Sequence, residues 1–93
     1  MFFFFFPSFS ERLKDLRTAK NLTMEQLGNE IGSTRATISN FENGQRKPSL
    51  DMLIKLADYF DVSIDYLVGR TEDPLLHQKE DWLFYSVLHL IFP

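Results

Sequence analysis

The chain has 93 residues, no cysteine, and 10 Lys/Arg against 13 Asp/Glu, a formal charge of -3. That length fits one small domain with a modest core. The missing cysteines exclude disulfides and cysteine-ligated zinc, and the acidic total excludes a uniformly basic nucleic-acid binder. The charge is uneven, however. Residues Phe9 to Leu50 carry seven Lys/Arg and five Asp/Glu, whereas Asp51 to Pro93 carry three and eight. Any contact with a polyanion therefore belongs to the first half. A reduced, cytoplasmic setting fits a chain without cysteine.

Residues 1–8 form a Phe-rich extension. Met1 is followed by Phe2 to Phe6 without a basic flank or a small-residue cleavage site, so it is a poor signal peptide. It is also too short to cross a bilayer. It reads as a sticky segment that packs on the body or on a neighbour, with membrane contact the less favoured alternative. Residues 9–70 read as five short helices. The first runs from about Phe9 to Lys20, with Ser8 and Glu11 at capping-box spacing and Phe9, Leu13 and Leu16 on one face. The second follows Thr23, with Gln26 three residues on and Leu22 and Leu27 at hydrophobic-staple positions. Gly32 stops it. The third starts at Thr34 and ends near Glu42, before Asn43-Gly44. The fourth follows Pro48, capped by Ser49, with Leu50, Leu53, Leu56, Ala57 and Phe60 at helical spacing. The fifth is a turn or two after Ser63, with Val62 and Leu67 again staple-spaced, and Gly69 closes it.

The stretch from Met24 to Phe41 has the requirements of two short helices crossing at a steep angle. Leu27 and Ile31 point inward from one, Ile38 and Phe41 from the next. Gly32 permits the positive φ that the turn needs. Gly28 is small where the two axes would cross.

In this stretch and its continuation, LTMEQLGNEIGSTRATISNFENGQRKPSLDMLIKLADYFDVSIDYLVGR, the sequence resembles the Xre/Cro family of lambda-repressor-like DNA-binding domains. The resemblance rests on Thr23, Leu27, Gly32, Ile38-Ser39, Glu42-Asn43-Gly44, Pro48-Ser49 and the closing DVSIDYLVG, and covers residues 9–70. It implies an all-α, five-helix fold whose third helix enters the major groove of double-stranded DNA. The expected function is that of a transcriptional regulator, a repressor binding a palindromic operator as a homodimer. An antitoxin-like protein-interaction module on the same fold is the alternative.

The start of a recognition helix meets base edges. Arg35, Ala36, Thr37 and Asn40 are thus the expected base readers. Arg35 matches guanine O6 and N7, and Asn40 can pair with adenine. Phosphate contacts are expected from Thr23, Met24, Thr34, Asn43, Gln45, Arg46 and Lys47, with Lys20 a weaker candidate. Similar domains commonly have Gln where Met24 stands, and Met cannot donate a hydrogen bond. The resemblance also implies an ion pair between Arg17 and Glu42. Tyr66 is expected in the core.

No catalytic constellation, cofactor motif or metal site is legible, and the expectation is a non-enzyme. His77 and His89 lack partners at metal-ligand spacing, and Asp61 and Asp65 read as helix-start acids. Residues 71–93 comprise a linker and an apolar C-terminal helix from Leu75 to Phe92. Its apolar run is too short to span a membrane. Dimerisation, a lid over the Phe-rich extension, and an interfacial membrane helix remain open for it.

Overall fold

The computed structural model describes residues 8–75. The Phe-rich segment before Ser8, His77, His89 and nearly all of the C-terminal helix expected from Leu75 to Phe92 lie outside the described residues. Leu75 itself is exposed and non-helical.

Five helices follow one another among the described residues: α1 (Phe9–Ala19), α2 (Met24–Glu30), α3 (Arg35–Glu42), α4 (Leu50–Phe60) and α5 (Ile64–Leu67). One local device begins all of them. Ser8, Thr23, Thr34, Ser49 and Ser63 hold extended backbone, and each side-chain hydroxyl accepts the amide hydrogen three residues on. The first amides of a helix have no intrahelical acceptor, and a short hydroxyl side chain supplies one. At α2 the device is reciprocal: Gln26 donates to Thr23 Oγ1 at 3.0 Å, and the Thr23 amide donates to Gln26 Oε1 at 2.8 Å. At α1 the Glu11 amide donates to Ser8 Oγ at 3.4 Å. Thr34 is the cap of α3 and not its first helical residue, and α1 ends one residue before Lys20. The Thr23→Ala variant should lose about 1 kcal/mol. An unchanged midpoint in urea denaturation would show that the cap contributes nothing.

The connections are closed by residues that tolerate positive φ. Gly32 has φ +69°, with open space where a Cβ would stand. Any L-residue there would meet only backbone strain. Asn21 and Asp61 adopt similar values, φ 56° and 54°, as short polar side chains do more readily than others. Asp61 therefore ends α4 in the left-handed region; it is not a helix-start acid. Asp65 does lie in the first turn of α5.

The core is built from all five helices. Leu13, Leu27, Ile38, Leu56 and Leu67 are fully buried, joined by Ile31, Phe41, Ala57, Phe60 and Val62. The staple residues all reach the core: Leu22 packs against the cluster that contains Leu27, and Val62 and Leu67 are both buried in it. Leu50 departs from its expected place: it is 66% exposed. It opens α4 before the helix reaches its neighbours, so apolar spacing overran the buried face by one turn. Tyr66 is half-buried and carries the Arg12 guanidinium over its ring at 3.8 Å. Arg12 is itself buried, a placement that apolar periodicity does not signal. Its long stem covers core while its flat head stacks on an aromatic face.

Candidate nucleic-acid interface

The turn between α2 and α3 sets the angle at which α3 is presented. The Ser33 amide donates to the Gly28 carbonyl at 2.7 Å, and the Gly32 amide donates to Asn29 at 3.3 Å. A Cβ on Gly28 would lie 2.8 Å from the Thr34 carbonyl carbon and 3.2 Å from the Arg35 nitrogen. The start of α3 thus rests directly on the middle of α2, with no room for a side chain between them.

α3 is held from behind by α1. Ile38 and Phe41 fill the core, and the Phe9 and Phe41 rings meet edge to face at 5.7 Å. Ser10 Oγ donates to the Phe41 carbonyl at 2.6 Å, a contact that sequence reading missed because nothing local in the chain marks it. Arg17 and Glu42 form a forked pair. Nε donates to Oε2 at 2.6 Å and Nη2 to Oε1 at 2.9 Å, while Nη1 donates to the Leu22 carbonyl at 2.8 Å. The Glu42 side chain is only 2% exposed and that of Arg17 12%. Hydrogen bonding to Glu42, opposed by burial, raises the Arg17 pKa. One arginine therefore ties together α1, the end of α3 and the residue leading into α2.

With that face anchored, the opposite face of α3 is outward. Arg35 and Ala36 are exposed, and Thr37 and Asn40 are half-buried. Ala36 and Asn40 are four apart and Thr37 and Asn40 three apart, so these side chains share a stripe. The Thr34 and Thr37 hydroxyls lie 3.0 Å apart and are hydrogen-bonded, while Thr34 Oγ1 also caps the helix. The loop after α3 folds back on Asn40, whose carbonyl accepts the amides of Gln45 and Arg46 at 2.9 and 3.3 Å. Asn43, Gln45, Arg46 and Lys47 are all exposed. The Asn43 amide group is engaged with Ser39 Oγ at 3.3 Å, and the Arg46 guanidinium stands 5.9 Å from the Phe41 ring centroid.

Two expected phosphate positions are altered by their surroundings. At α2 the Thr23 amide is already taken by Gln26, the Met24 side chain packs on the core, and Glu25 is exposed in the first turn. Only main-chain donors of the first turn remain there, and the Glu25 carboxylate competes for them. Lys20 faces elsewhere: its ammonium donates to the Tyr59 carbonyl at 3.4 Å and stands 4.7 Å from the Tyr59 ring centroid. It complements the C-terminal end of α4.

Among the described residues no group of three or more His, Asp or Glu side chains is placed to hold a metal ion. No helix there is long and apolar enough to cross a membrane.

A capped helix crossing its predecessor over a glycine, anchored from behind and polar in front, defines a helix-turn-helix domain of the lambda-repressor type. Comparison with known proteins fixes its place. A helix-turn-helix family profile matches residues 13–67, and the chain belongs to that family, in its Xre/lambda-repressor-like branch of DNA-binding transcriptional regulators. It is 46% identical over 66 residues to YobD, an uncharacterised HTH-type transcriptional regulator of Bacillus subtilis, covering 71% of this chain and 59% of YobD. The chain thus spans little more than half of that relative's length. Among solved structures, the restriction-modification controller protein C.AhdI of Aeromonas hydrophila is similar with a TM-score of 0.59 and 41% identity, over 63% of this chain and 89% of that one. The P22 c2 repressor, in complex with a synthetic operator, gives a TM-score of 0.64 and 26% identity over 67% of this chain and 94% of the repressor.

Proposed function

We propose that the chain is a sequence-specific transcriptional regulator that represses by binding a palindromic operator as a homodimer. The observation that carries this reading is the outward stripe of α3, Arg35, Ala36, Thr37 and Asn40, on a helix locked to α1 and α2. The operator-bound state of the similar P22 c2 repressor supports it. Arg35 stands at the helix start, where a guanidinium can reach guanine O6 and N7 together, and Asn40 lies one turn on for adenine. The Ala36 and Thr37 methyls suit a thymine methyl. Lys47, Arg46, Gln45 and Asn43 grip the backbone, with lesser main-chain help from the first turn of α2 at Met24 and from Thr34; the Thr23 amide, held by Gln26, is not free for it. In a dimer two such helices would enter successive major grooves about 34 Å apart. No step of this reading needs a cofactor or metal.

Selection of bound sequences from a random DNA pool, followed by titrations at two salt concentrations, tests the reading. Affinity should fall steeply with salt as counterions are released. On the selected site the Arg35→Ala variant should lose about 1–3 kcal/mol and relax discrimination at one base pair. Lys47→Ala should weaken all sequences alike and make the salt slope shallower by about one. Equal losses on selected and random DNA for Arg35→Ala would remove its base-reading role. Absence of salt-sensitive DNA binding would favour the antitoxin-like protein-interaction module instead. Sedimentation of the full chain, and of the chain cut after Arg70, reads the dimer and any part the tail has in it.

A further inference from the structure

A groove of about 380 Å³ opens where α1 begins, between the loop after α3 and the α4 and α5 helices. Phe9, Pro48, Leu53 and Val68 give it an apolar wall, and Arg46 and Lys47 stand on its rim. The core beneath it is complete, with Phe41 and Leu67 fully packed, so the groove is surplus to the fold. We propose that it is the docking site of this chain's own Phe2–Phe6 segment.

Three observations select that occupant. The segment is continuous with the groove: Ser8, two residues after Phe6, is itself part of the wall. Its composition matches the wall, since all five side chains are phenyl rings, and aromatic rings meet Phe9 favourably edge to face. Its backbone favours an extended course. Pro7 disfavours helical backbone at Phe6, and five extended residues span roughly 17 Å. The apolar stretch of the C-terminal region is a weaker fit. It begins only at Trp82, eight residues after Pro74, whose carbonyl accepts the Ser63 amide at the opposite end of α5 from Val68. Because Arg46 and Lys47 border the groove, the docked segment would lie against the loop assigned above to phosphate contact. That consequence rests on the proposed function; the docking itself does not.

The test needs no DNA. Methyl spectra of the full-length chain are compared with those of a variant carrying Phe2–Phe6→Ser. Docking shifts the Leu53 and Val68 methyls upfield through ring currents and gives nuclear Overhauser contacts to phenyl protons that vanish in the variant. The Leu27 and Leu56 methyls, buried elsewhere in the core, serve as the internal standard of an unchanged fold. Identical Leu53 and Val68 shifts in both chains would overturn the proposal. A mixed sample of labelled and unlabelled chains completes it. Contacts confined to one molecule support docking in cis, whereas contacts between molecules would overturn it in favour of a neighbour's segment.

Discussion

A valine at Gly28 should destabilise the domain by about 3 kcal/mol, at the upper end of what overpacking usually costs. The atoms that a Cβ would strike are the main-chain carbon and oxygen of Thr34, at 2.8 and 3.0 Å. A flexible side chain could swing aside, but here the whole start of α3 must move. A domain of this size is held by only about 5 kcal/mol, so the loss consumes much of the total. Gly28→Ala makes the sharper test. Alanine gains about 1 kcal/mol of helix propensity over glycine, yet brings the same Cβ into the same backbone. Overpacking of about 1–3 kcal/mol should win, and the variant should unfold at lower urea than the parent. A more stable Gly28→Ala protein would mean that α2 and α3 do not cross so tightly. The effect reaches function, because displacing Thr34 re-aims Arg35, the next residue.

Removing the arginine of the Arg17–Glu42 pair should cost about 3 kcal/mol, near the lower end of the range for breaking a buried pair. Arg17→Ala strands a carboxylate whose side chain is 2% exposed and also removes the donor to the Leu22 carbonyl. The intact pair need not be strongly stabilising, since desolvation opposes attraction. The double variant Arg17→Met with Glu42→Met should therefore recover much of the single variant's loss. A double variant as unstable as the single would assign the effect to lost packing and not to a stranded charge. The arginine's raised pKa fixes its part in the pH dependence. A cation whose pKa is raised by folding stabilises at every pH below its unfolded value, and that stability is lost only as pH climbs through the folded value. Both values for Arg17 lie in strong alkali, so the guanidinium remains charged and its contribution should be flat between about pH 6 and pH 9. Comparing the urea midpoints of parent and Arg17→Ala across that interval checks it.

The pair also shows how far local reading extends. Its two residues are 25 apart, so in the sequence only the family resemblance joins them; the donors, the fork geometry and the third bond to Leu22 belong to the folded structure. Arg12 escaped altogether, because a charged residue in an otherwise polar stretch of α1 gives no pattern of burial. Leu50 erred in the other direction, since helical spacing continues past the end of the contact surface. Lys20 and Met24 were legible as residue types near the expected interface, but their directions were not. One folds onto the end of α4, and the other turns into the core.

Taken alone, the sequence determined where helices begin and stop to within about a residue or two. Caps, staples and positive-φ residues act through neighbours within a few positions, so they are written locally at Ser8, Thr23, Thr34, Ser49, Ser63 and Gly32. Spacing also puts Ile38 and Phe41 on the inner face of α3, but only the tertiary structure decided how the opposite face is held and aimed. That face is what remains after Gly28 has admitted the backbone of α3, Phe9 and Ser10 have engaged Phe41, and Arg17 has taken Glu42. Each of these contacts joins different helices, and their geometry depends on the whole core being packed at once.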